Sequence, residues 1–190
     1  MKIGVFGGTF DPPHNGHLIT AEYVRDRLGL ERIVFVPSWI SPHKQDRETA
    51  GAEHRLAMLQ LAVAGVKGGE VSDIEIARGG VSYTVDTLTE FHKIRSGCNL
   101  SLIIGSDNFR EFGSWKDPEK ILSLAQLVVM LRPGVEPPEL GTDSRVQSIT
   151  VPEIQISSTS IREKIQRGES IGFLVPAGIE HYIISHRLYR

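Results

Sequence analysis

The sequence predicts an α/β fold, a doubly wound and mainly parallel sheet with helices on both faces. The first observation is an alternation between short apolar runs, which suit strands, and segments whose apolar residues recur every three or four positions. The second is that residues 100–104 form an apolar run ending at Gly105, as expected for a central strand buried on both faces. Strands that alternate with helices favour a parallel sheet joined by right-handed crossovers.

Strands are predicted from apolar runs and from the glycines and prolines that end several of them. They cover residues 2–6, 32–36, 71–77, 100–104 and 127–131. In the third of these runs, residues 71, 73 and 75 alternate with 72, 74 and 76, which is the period of a strand. The polar residues 38–52 are expected to form a long loop.

Helices are predicted where apolar residues recur at helical spacing. The positions are Leu18, Ala21, Val24 and Leu28 before Gly29; Leu56, Leu59 and Val63; and Val85, Leu88 and His92. Ser160 and Glu163 have capping-box spacing before a helix that stops at Gly168, and Pro176 is expected to start a last helix. We expect one domain over residues 1–190, with a small helical portion from about residue 157.

Composition and charge exclude several classes of function. A net charge of -2 argues against broad, non-specific binding to nucleic acid. No stretch is long and apolar enough to span a membrane, and residues 1–6 do not have the pattern of a signal peptide. The single cysteine, Cys98, fits a reducing compartment. We therefore expect a cytoplasmic protein with no membrane or nucleic-acid partner, and the sequence makes no prediction of its oligomeric state.

Polar loops follow four of the predicted strands, after Phe6, Val36, Ile104 and Leu131. Ligands of open parallel sheets bind beyond the carboxyl ends of the strands. These loops are therefore expected to converge on one site.

The segment from Gly7 to His17 carries the strongest local signal. A buried strand runs into Gly7-Gly8, and a helix is expected to begin near Gly16. Glycines allow close approach of a phosphate, and a helix N-terminus offers free N–H groups with a partial positive charge. His14 and His17 are three residues apart, so both project from one side of that turn and can donate hydrogen bonds to phosphate oxygens.

Other interpretations of this segment remain. Two glycines alone are typical of a tight turn, and two histidines alone of a capped turn or a metal pair. The glycine spacing of a dinucleotide-binding turn and the Gly-Lys-Ser/Thr ending of a phosphate loop are both absent from the sequence. The combination of glycines and histidines after a buried strand favours a phosphate site.

Two distant segments together resemble one superfamily. Gly8-Thr9-Phe10-Asp11-Pro12-Pro13-His14-Asn15-Gly16-His17 is similar to the signature of the nucleotidyltransferases that carry a His-x-Gly-His motif. Ile156-Ser157-Ser158-Thr159-Ser160-Ile161-Arg162 resembles the Ile-Ser-Ser-Thr-x-Ile-Arg motif of the same superfamily. The resemblance implies a Rossmann-like fold and transfer of a nucleotidyl group.

Further segments resemble the bacterial nicotinate-nucleotide adenylyltransferases over essentially the whole chain. Ser41-Pro42-His43-Lys44 is similar to their Pro-Pro-His-Lys loop, with Ser41 as a departure, and residues 82–88 match their Ser-Tyr-Thr-x-Asp-Thr-Leu segment. The resemblance implies that nicotinate mononucleotide and ATP react to give nicotinate adenine dinucleotide and pyrophosphate. It also implies Mg²⁺ bound with ATP, without a dedicated protein cage.

The same resemblance implies roles for individual residues. The catalytic residues are His14, His17, Lys44 and Arg162. ATP is expected to contact Gly7, Gly8, Thr9, Phe10, His14, His17, Gly105, Asp107, Arg132, Ser157, Ser158, Thr159 and Arg162. The acceptor is expected to contact Lys44, Tyr83, Thr84, Asp107 and Trp115. Taken singly, Lys44 could be a solvated loop lysine, Asp107 a helix N-cap and Trp115 a core aromatic.

Three rival functions remain at this stage. The acceptor could be nicotinamide mononucleotide, or both pyridine nucleotides could be used. The protein could instead be a nucleotide sensor without turnover. The pair His14 and His17 together with Lys44 and Arg162 argues against this, because binding alone has less need of charges around the phosphate that an enzyme would transfer. An aminoacyl-tRNA synthetase-like module is disfavoured, because 190 residues show no basic surface or tRNA-binding appendage.

Overall fold

The computed structural model describes residues 1–42, 49–134 and 143–190. Within these ranges, six strands form one sheet in the order β3-β2-β1-β4-β5-β6, and every neighbouring pair is parallel. The strands are β1 (Lys2–Gly8), β2 (Arg32–Pro37), β3 (Gly69–Val71), β4 (Asn99–Gly105), β5 (Gln126–Leu131) and β6 (Val146–Thr150). The predicted α/β fold with a Rossmann-like, doubly wound sheet is confirmed.

The strand order reverses next to β1, which pairs with β2 on one side and β4 on the other. Chain connections leave this point in opposite directions, which opens a crevice above the carboxyl ends of the two strands. Gly4 lies on β1, where an added Cβ would come within 2.8 Å of Ile103 Cδ1 and 2.9 Å of Leu30 Cδ1. A side chain at this position would therefore displace these two terminal methyl groups in the core.

Helices cover both faces of the sheet, as predicted. They are α1 (Asn15–Leu28), α2 (Ala52–Val63), α3 (Ile74–Arg78), α4 (Thr84–Ile94), α5 (Ser106–Arg110), α6 (Pro118–Leu124), α7 (Ser158–Gln166) and α8 (Ala177–Ser185). One apolar core lies between the sheet and α1 with α2, and includes Val24 and Leu59. The core on the other face includes Leu88, Phe91 and Ile121 from α4 and α6.

The C-terminal helices pack on α2 rather than on the sheet. Ile161 of α7 and Ile179 and Ile183 of α8 share a buried cluster with Met58 and Ala62 of α2. This cluster holds the start of α7 near the carboxyl edge of the sheet. The prediction of one domain with a C-terminal helical portion is consistent with this packing and stays a prediction.

The predicted strand over residues 71–77 is wrong. β3 ends at Val71, and Ile74–Arg78 form the short helix α3. A five-residue helix is too short to show a helical period, so the alternation of apolar residues imitated a strand. Tertiary contacts decide the conformation, because α3 buries both Ile74 and Glu75.

The predicted capping box of Ser160 and Glu163 is also wrong by three residues. Ser157 is the N-cap of α7, and its Oγ accepts a hydrogen bond from Ser160 N at 3.1 Å. The helix ends at Gln166, and Gly168 follows with a left-handed φ of 70°. The Ser-rich motif therefore supplies the helix start itself.

Among the described residues, the edge strand β6 and the short helices α5 and α6 were also not predicted. β6 is half exposed and α5 has five residues, so neither carries a strong apolar pattern. Among the described residues, no helix is long and apolar enough to cross a membrane.

Candidate active site

A cavity of about 460 Å³ lies beyond the carboxyl ends of β1, β4 and β5. Its walls combine the glycine turn after β1, the start of α1, the start of α5, the loop after β5 and the start of α7. We call it the first cavity. Its lining includes Gly7, Gly8, Thr9, Phe10, Asp11, His14, His17, Gly105, Asp107, Arg132, Ser157, Ser158, Thr159 and Arg162.

His14 and His17 stack in this cavity, with their ring centroids 3.7 Å apart. The His14 backbone N–H donates to His17 Nδ1 at 3.2 Å. Because Nδ1 accepts this bond, the proton of neutral His17 is placed on Nε2, where it can be donated onward. Phe10 packs its ring at 5.1 Å from the His17 centroid and so fixes the imidazole.

His14 occupies the N-cap position of α1 and is buried. Burial lowers its pKa from 6.5 to about 4, because the charged form loses solvation. Among the described residues, its Nδ1 atom has no hydrogen-bond partner. The ring is therefore neutral near pH 7, and it can act as a hydrogen-bond donor rather than as a fixed cation.

The start of α7 contacts the glycine turn directly. Ser158 Oγ donates to the carbonyl oxygen of Pro12 at 2.8 Å, and Arg162 Nη1 donates to the carbonyl oxygen of Asp11 at 2.6 Å. Two segments about 140 residues apart in sequence thus line the same cleft. The two motifs that carry the resemblance are therefore in direct contact.

Gly7 faces the open part of this cavity. A Cβ added at Gly7 would meet no atom of the described residues within 4 Å. Protein packing therefore does not exclude a side chain here, and the bare backbone is left accessible to a ligand.

A second cavity of about 230 Å³ adjoins the first. The two share Gly7, Gly8, Thr9 and Asn108 in their walls. The remaining lining of the second cavity includes Ser38, Ser41, Pro42, Glu75, Ser82, Tyr83, Thr84, Trp115 and Lys116. The two cavities therefore meet at the glycine turn.

Side-chain hydrogen bonds between separate elements shape the second cavity. Ser82 Oγ accepts from Trp39 N at 2.9 Å, which ties the loop after β2 to the start of α4. Thr87 Oγ1 donates to Glu75 Oε1 at 2.6 Å, which ties α4 to α3. The Ser-Tyr-Thr-x-Asp-Thr-Leu segment thus has a structural role as well as a place in the cavity wall.

Glu75 is buried beneath this cavity. Burial raises the pKa of its carboxyl, and hydrogen bonds from Thr87 and Ser82 together with the Arg78 charge partly oppose the rise. The site therefore disfavours the charged form of this carboxyl relative to water.

Trp115 and Lys116 complete the wall opposite Glu75. Trp115 packs against Phe112 with ring centroids 5.5 Å apart while also lining the cavity, so it is both a core and a cavity residue. Lys116 Nζ lies 4.6 Å from the centroid of the Tyr83 ring and 3.0 Å from Asp86 Oδ2. This lysine places a positive charge at the aromatic wall.

The predicted residues separate between the two cavities. All those predicted for ATP line the first cavity, and Tyr83, Thr84 and Trp115 line the second. Asp107 was predicted to serve both, but it lines the first, and Asn108 takes its place in the second. Lys44 lies outside the described residues.

The alternative of Asp107 as a helix N-cap is wrong. Gly105 caps α5, and Asp107 Oδ1 instead accepts from Arg110 Nη1 at 3.1 Å. The Asp107 carboxylate is exposed at the cavity edge.

Arg55 is a buried arginine that sequence reasoning missed. Its guanidinium donates to the carbonyl oxygens of Thr9 at 2.9 Å, Ser38 at 2.7 Å, Trp39 at 3.0 Å and Ala50 at 3.0 Å. It thereby joins the turn after β1, which lines both cavities, to the turn after β2, which lines the second. An arginine four residues before Leu59, on the apolar face of α2, was the signal that could have revealed it.

Metal ligands are few in this region. Within the described ranges, no group of three or more His, Cys, Asp or Glu side chains is arranged to hold a metal ion. Asp11 and Asp107 are carboxylates that line the first cavity.

Comparison with known proteins identifies the family. Residues 5–164 match the family described as cytidylyltransferase-like. A probable nicotinate-nucleotide adenylyltransferase of Thermomicrobium roseum is 41% identical over 197 residues, covering 100% of this chain and 92% of the relative. That of Geobacillus thermodenitrificans is 42% identical over 188 residues, covering 99% and 86%.

A solved structure agrees in fold. Plasmodium falciparum nicotinic acid mononucleotide adenylyltransferase complexed with NaAD has a TM-score of 0.82 at 20% identity, covering 99% of this chain and 97% of that one. Together with the two relatives, these findings show that the chain belongs to the cytidylyltransferase-like family and, within it, to the nicotinate-nucleotide adenylyltransferases.

Proposed function

We propose that this protein transfers the adenylyl group of ATP to nicotinate mononucleotide, giving nicotinate adenine dinucleotide and pyrophosphate. The observation that carries the proposal is the junction of two cavities at Gly7 and Gly8. One cavity has glycines, imidazoles and helix starts suited to a triphosphate, and the other has an aromatic wall suited to a pyridine ring. A reaction that joins two nucleotides uses both cavities.

The chemistry requires positioning rather than a protein nucleophile. A phosphate oxygen of the acceptor attacks the α-phosphorus of ATP. A new phosphorus–oxygen bond forms while the bond from the α-phosphorus to the bridging oxygen breaks, and pyrophosphate leaves. The difficulty is to align two anions and to stabilise the charge that moves onto the leaving group.

In the first cavity, the groups that meet this requirement are His17, His14 and Arg162. His17 Nε2–H, oriented by the bond to Nδ1, donates to an oxygen of the transferred phosphate. His14 is neutral and donates from the same stack. Arg162 supplies a positive charge to the leaving pyrophosphate, and Lys44 contributes a positive charge near the acceptor.

In the second cavity, Trp115 stacks on the pyridine ring of the acceptor. The start of α4 at Thr84 presents N–H groups and a partial positive charge, which favour a carboxylate over a neutral amide. Lys116 lies over the Tyr83 ring in the same wall, with Asp86 as its ion-pair partner. The helix start supports the acid rather than the amide as acceptor.

Mg²⁺ in this proposal enters with ATP and neutralises charge on its phosphate oxygens. The exposed Asp107 carboxylate at the edge of the first cavity can accept a hydrogen bond from a metal-bound water. Residues 1–190 act as one domain in the cytoplasm, where ATP is available and the lone Cys98 stays reduced.

The test is a product assay with ATP, Mg²⁺ and either nicotinate or nicotinamide mononucleotide. We expect pyrophosphate and the dinucleotide in equal amounts, with the acid used faster than the amide. Equal rates would overturn the acid preference alone. Failure of both acceptors to give a dinucleotide would overturn the proposed function.

A further inference from the structure

We infer that Tyr189 is a positioning residue for adenylyl transfer, which acts through the Asp11 carboxylate to hold the Arg162 guanidinium at the first cavity. The inference rests on the proposed function. It adds a contact from the C-terminal segment to a site otherwise formed by the loops above the sheet.

The first link is the hydrogen bond between Tyr189 and Asp11. Tyr189 OH donates to Asp11 Oδ1 at 2.7 Å, across 178 residues of sequence. The backbone N–H of Ala50 donates to the same oxygen at 3.1 Å. The Asp11 side chain is only 4% exposed, so water cannot take the place of a lost donor to this carboxylate.

The second link joins Asp11 to Arg162. Arg162 Nη1 donates to the Asp11 carbonyl oxygen at 2.6 Å and lies 3.7 Å from Asp11 Oδ2. Its Nη2 donates to Thr159 Oγ1 at 3.3 Å. Tyr189 and Ala50 therefore occupy one carboxylate oxygen, and the other oxygen faces the guanidinium.

Tyr189 combines the hydrogen bond to Asp11 with a packing contact, because its side chain also lies against the buried cluster of α2, α7 and α8. Its φ of 64° is left-handed, a conformation that costs energy for a residue other than glycine. Burial and the Asp11 charge raise its pKa, so the hydroxyl stays protonated and keeps donating across the working pH range. Without this donor, the buried carboxylate would draw the guanidinium inward and away from the phosphates.

Tyr182 provides a matched control. It is a second half-buried tyrosine of the C-terminal segment, and its OH bonds to His54 Nδ1 at 3.0 Å instead of to Asp11. Tyr182→Phe and Tyr189→Phe remove the same atom from the same part of the chain. Only Tyr189→Phe removes a hydrogen-bond donor to Asp11.

The experiment is a double-mutant cycle between Tyr189→Phe and Arg162→Ala, read by kcat/KM for ATP and by ATP affinity in calorimetry. We expect Tyr189→Phe to lower kcat/KM by about tenfold when Arg162 is present, the size of a lost hydrogen bond to a charged group, and by less than about twofold when Arg162 is absent. Tyr182→Phe should leave kcat/KM unchanged. Circular dichroism and melting temperature establish that each variant is folded.

Equal losses in both backgrounds would overturn the inference, since a merely structural tyrosine acts whether or not Arg162 is present. No loss in either background would overturn it as well. If the wild type makes no dinucleotide with either acceptor, the proposed function fails. In that case, ATP affinities measured by calorimetry for the same four proteins of the double-mutant cycle test the role of Tyr189 independently.

Discussion

The two cavities differ in how the chain forms them. The first is lined by two short motifs, each of which runs from a loop into a helix start, and the motifs contact each other through Ser158 and Arg162. The second depends on side-chain bonds between separate elements, such as Thr87 to Glu75 and Trp39 to Ser82. The first cavity is thus formed largely by two short sequence motifs that meet in space, whereas the acceptor site depends on side-chain bonds between separate elements.

The largest expected effect lies in the first cavity. His17→Ala removes the donor aimed at the transferred phosphate, and kcat should fall by about 10²–10³-fold with the fold intact. His181→Ala, at an exposed position of α8, is the control and should keep full activity. Near-normal turnover in His17→Ala would remove this residue from the chemistry.

The next effect tests whether the second cavity acts separately. Trp115→Ala removes the stacking surface for the pyridine ring, and KM for the acceptor should rise by about tenfold or more, as for other aromatic–base stacks. KM for ATP should change little. Equal loss of both substrates, together with a lowered melting temperature, would instead indicate that the contact of Trp115 with Phe112 dominates.

A third prediction concerns the buried imidazole of His14. Its pKa of about 4 in the folded protein lies below the unfolded value of 6.5. Between these pH values the unfolded state binds a proton that the folded state does not, so the free energy of unfolding decreases as the pH falls. Wild type should lose about 2 kcal/mol of unfolding free energy from this residue between pH 7 and pH 5. His14→Gln should flatten that slope in urea titrations, and His181→Gln should leave it as it is.

The smallest expected effect concerns Glu75 of the second cavity, and its pH dependence of stability has the opposite sign. The raised pKa of Glu75 means that the folded state holds a proton which the unfolded state has lost, so stability falls as pH rises above 4.5 through the raised value. Glu75→Gln should remove this fall while keeping a hydrogen-bonding side chain. Glu90 forms an ion pair with Arg78 at the surface, and Glu90→Gln serves as the control. An unchanged slope in Glu75→Gln would mean that the carboxyl is ionised in the folded protein.

The same contrast explains what the sequence could predict. The parallel sheet and α1 with its Gly29 end follow from local patterns, and most residues predicted for the first cavity lie in the two motifs. Gly105, Asp107 and Arg132 lie outside the motifs and were predicted from the family resemblance. Tyr83, Thr84 and Trp115 came only from the resemblance, because nothing local places them together. Glu75, Arg55 and Tyr189 were missed because their roles depend on partners distant in sequence, and the alternation around Glu75 even predicted the wrong element.

The most direct test of the central claim, that the two cavities are halves of one dinucleotide site, is a competition measurement. ATP and nicotinate mononucleotide should bind without displacing each other, and nicotinate adenine dinucleotide should displace both. A dinucleotide that displaces only one of them, or substrates that displace each other, would contradict a shared site meeting at Gly7 and Gly8.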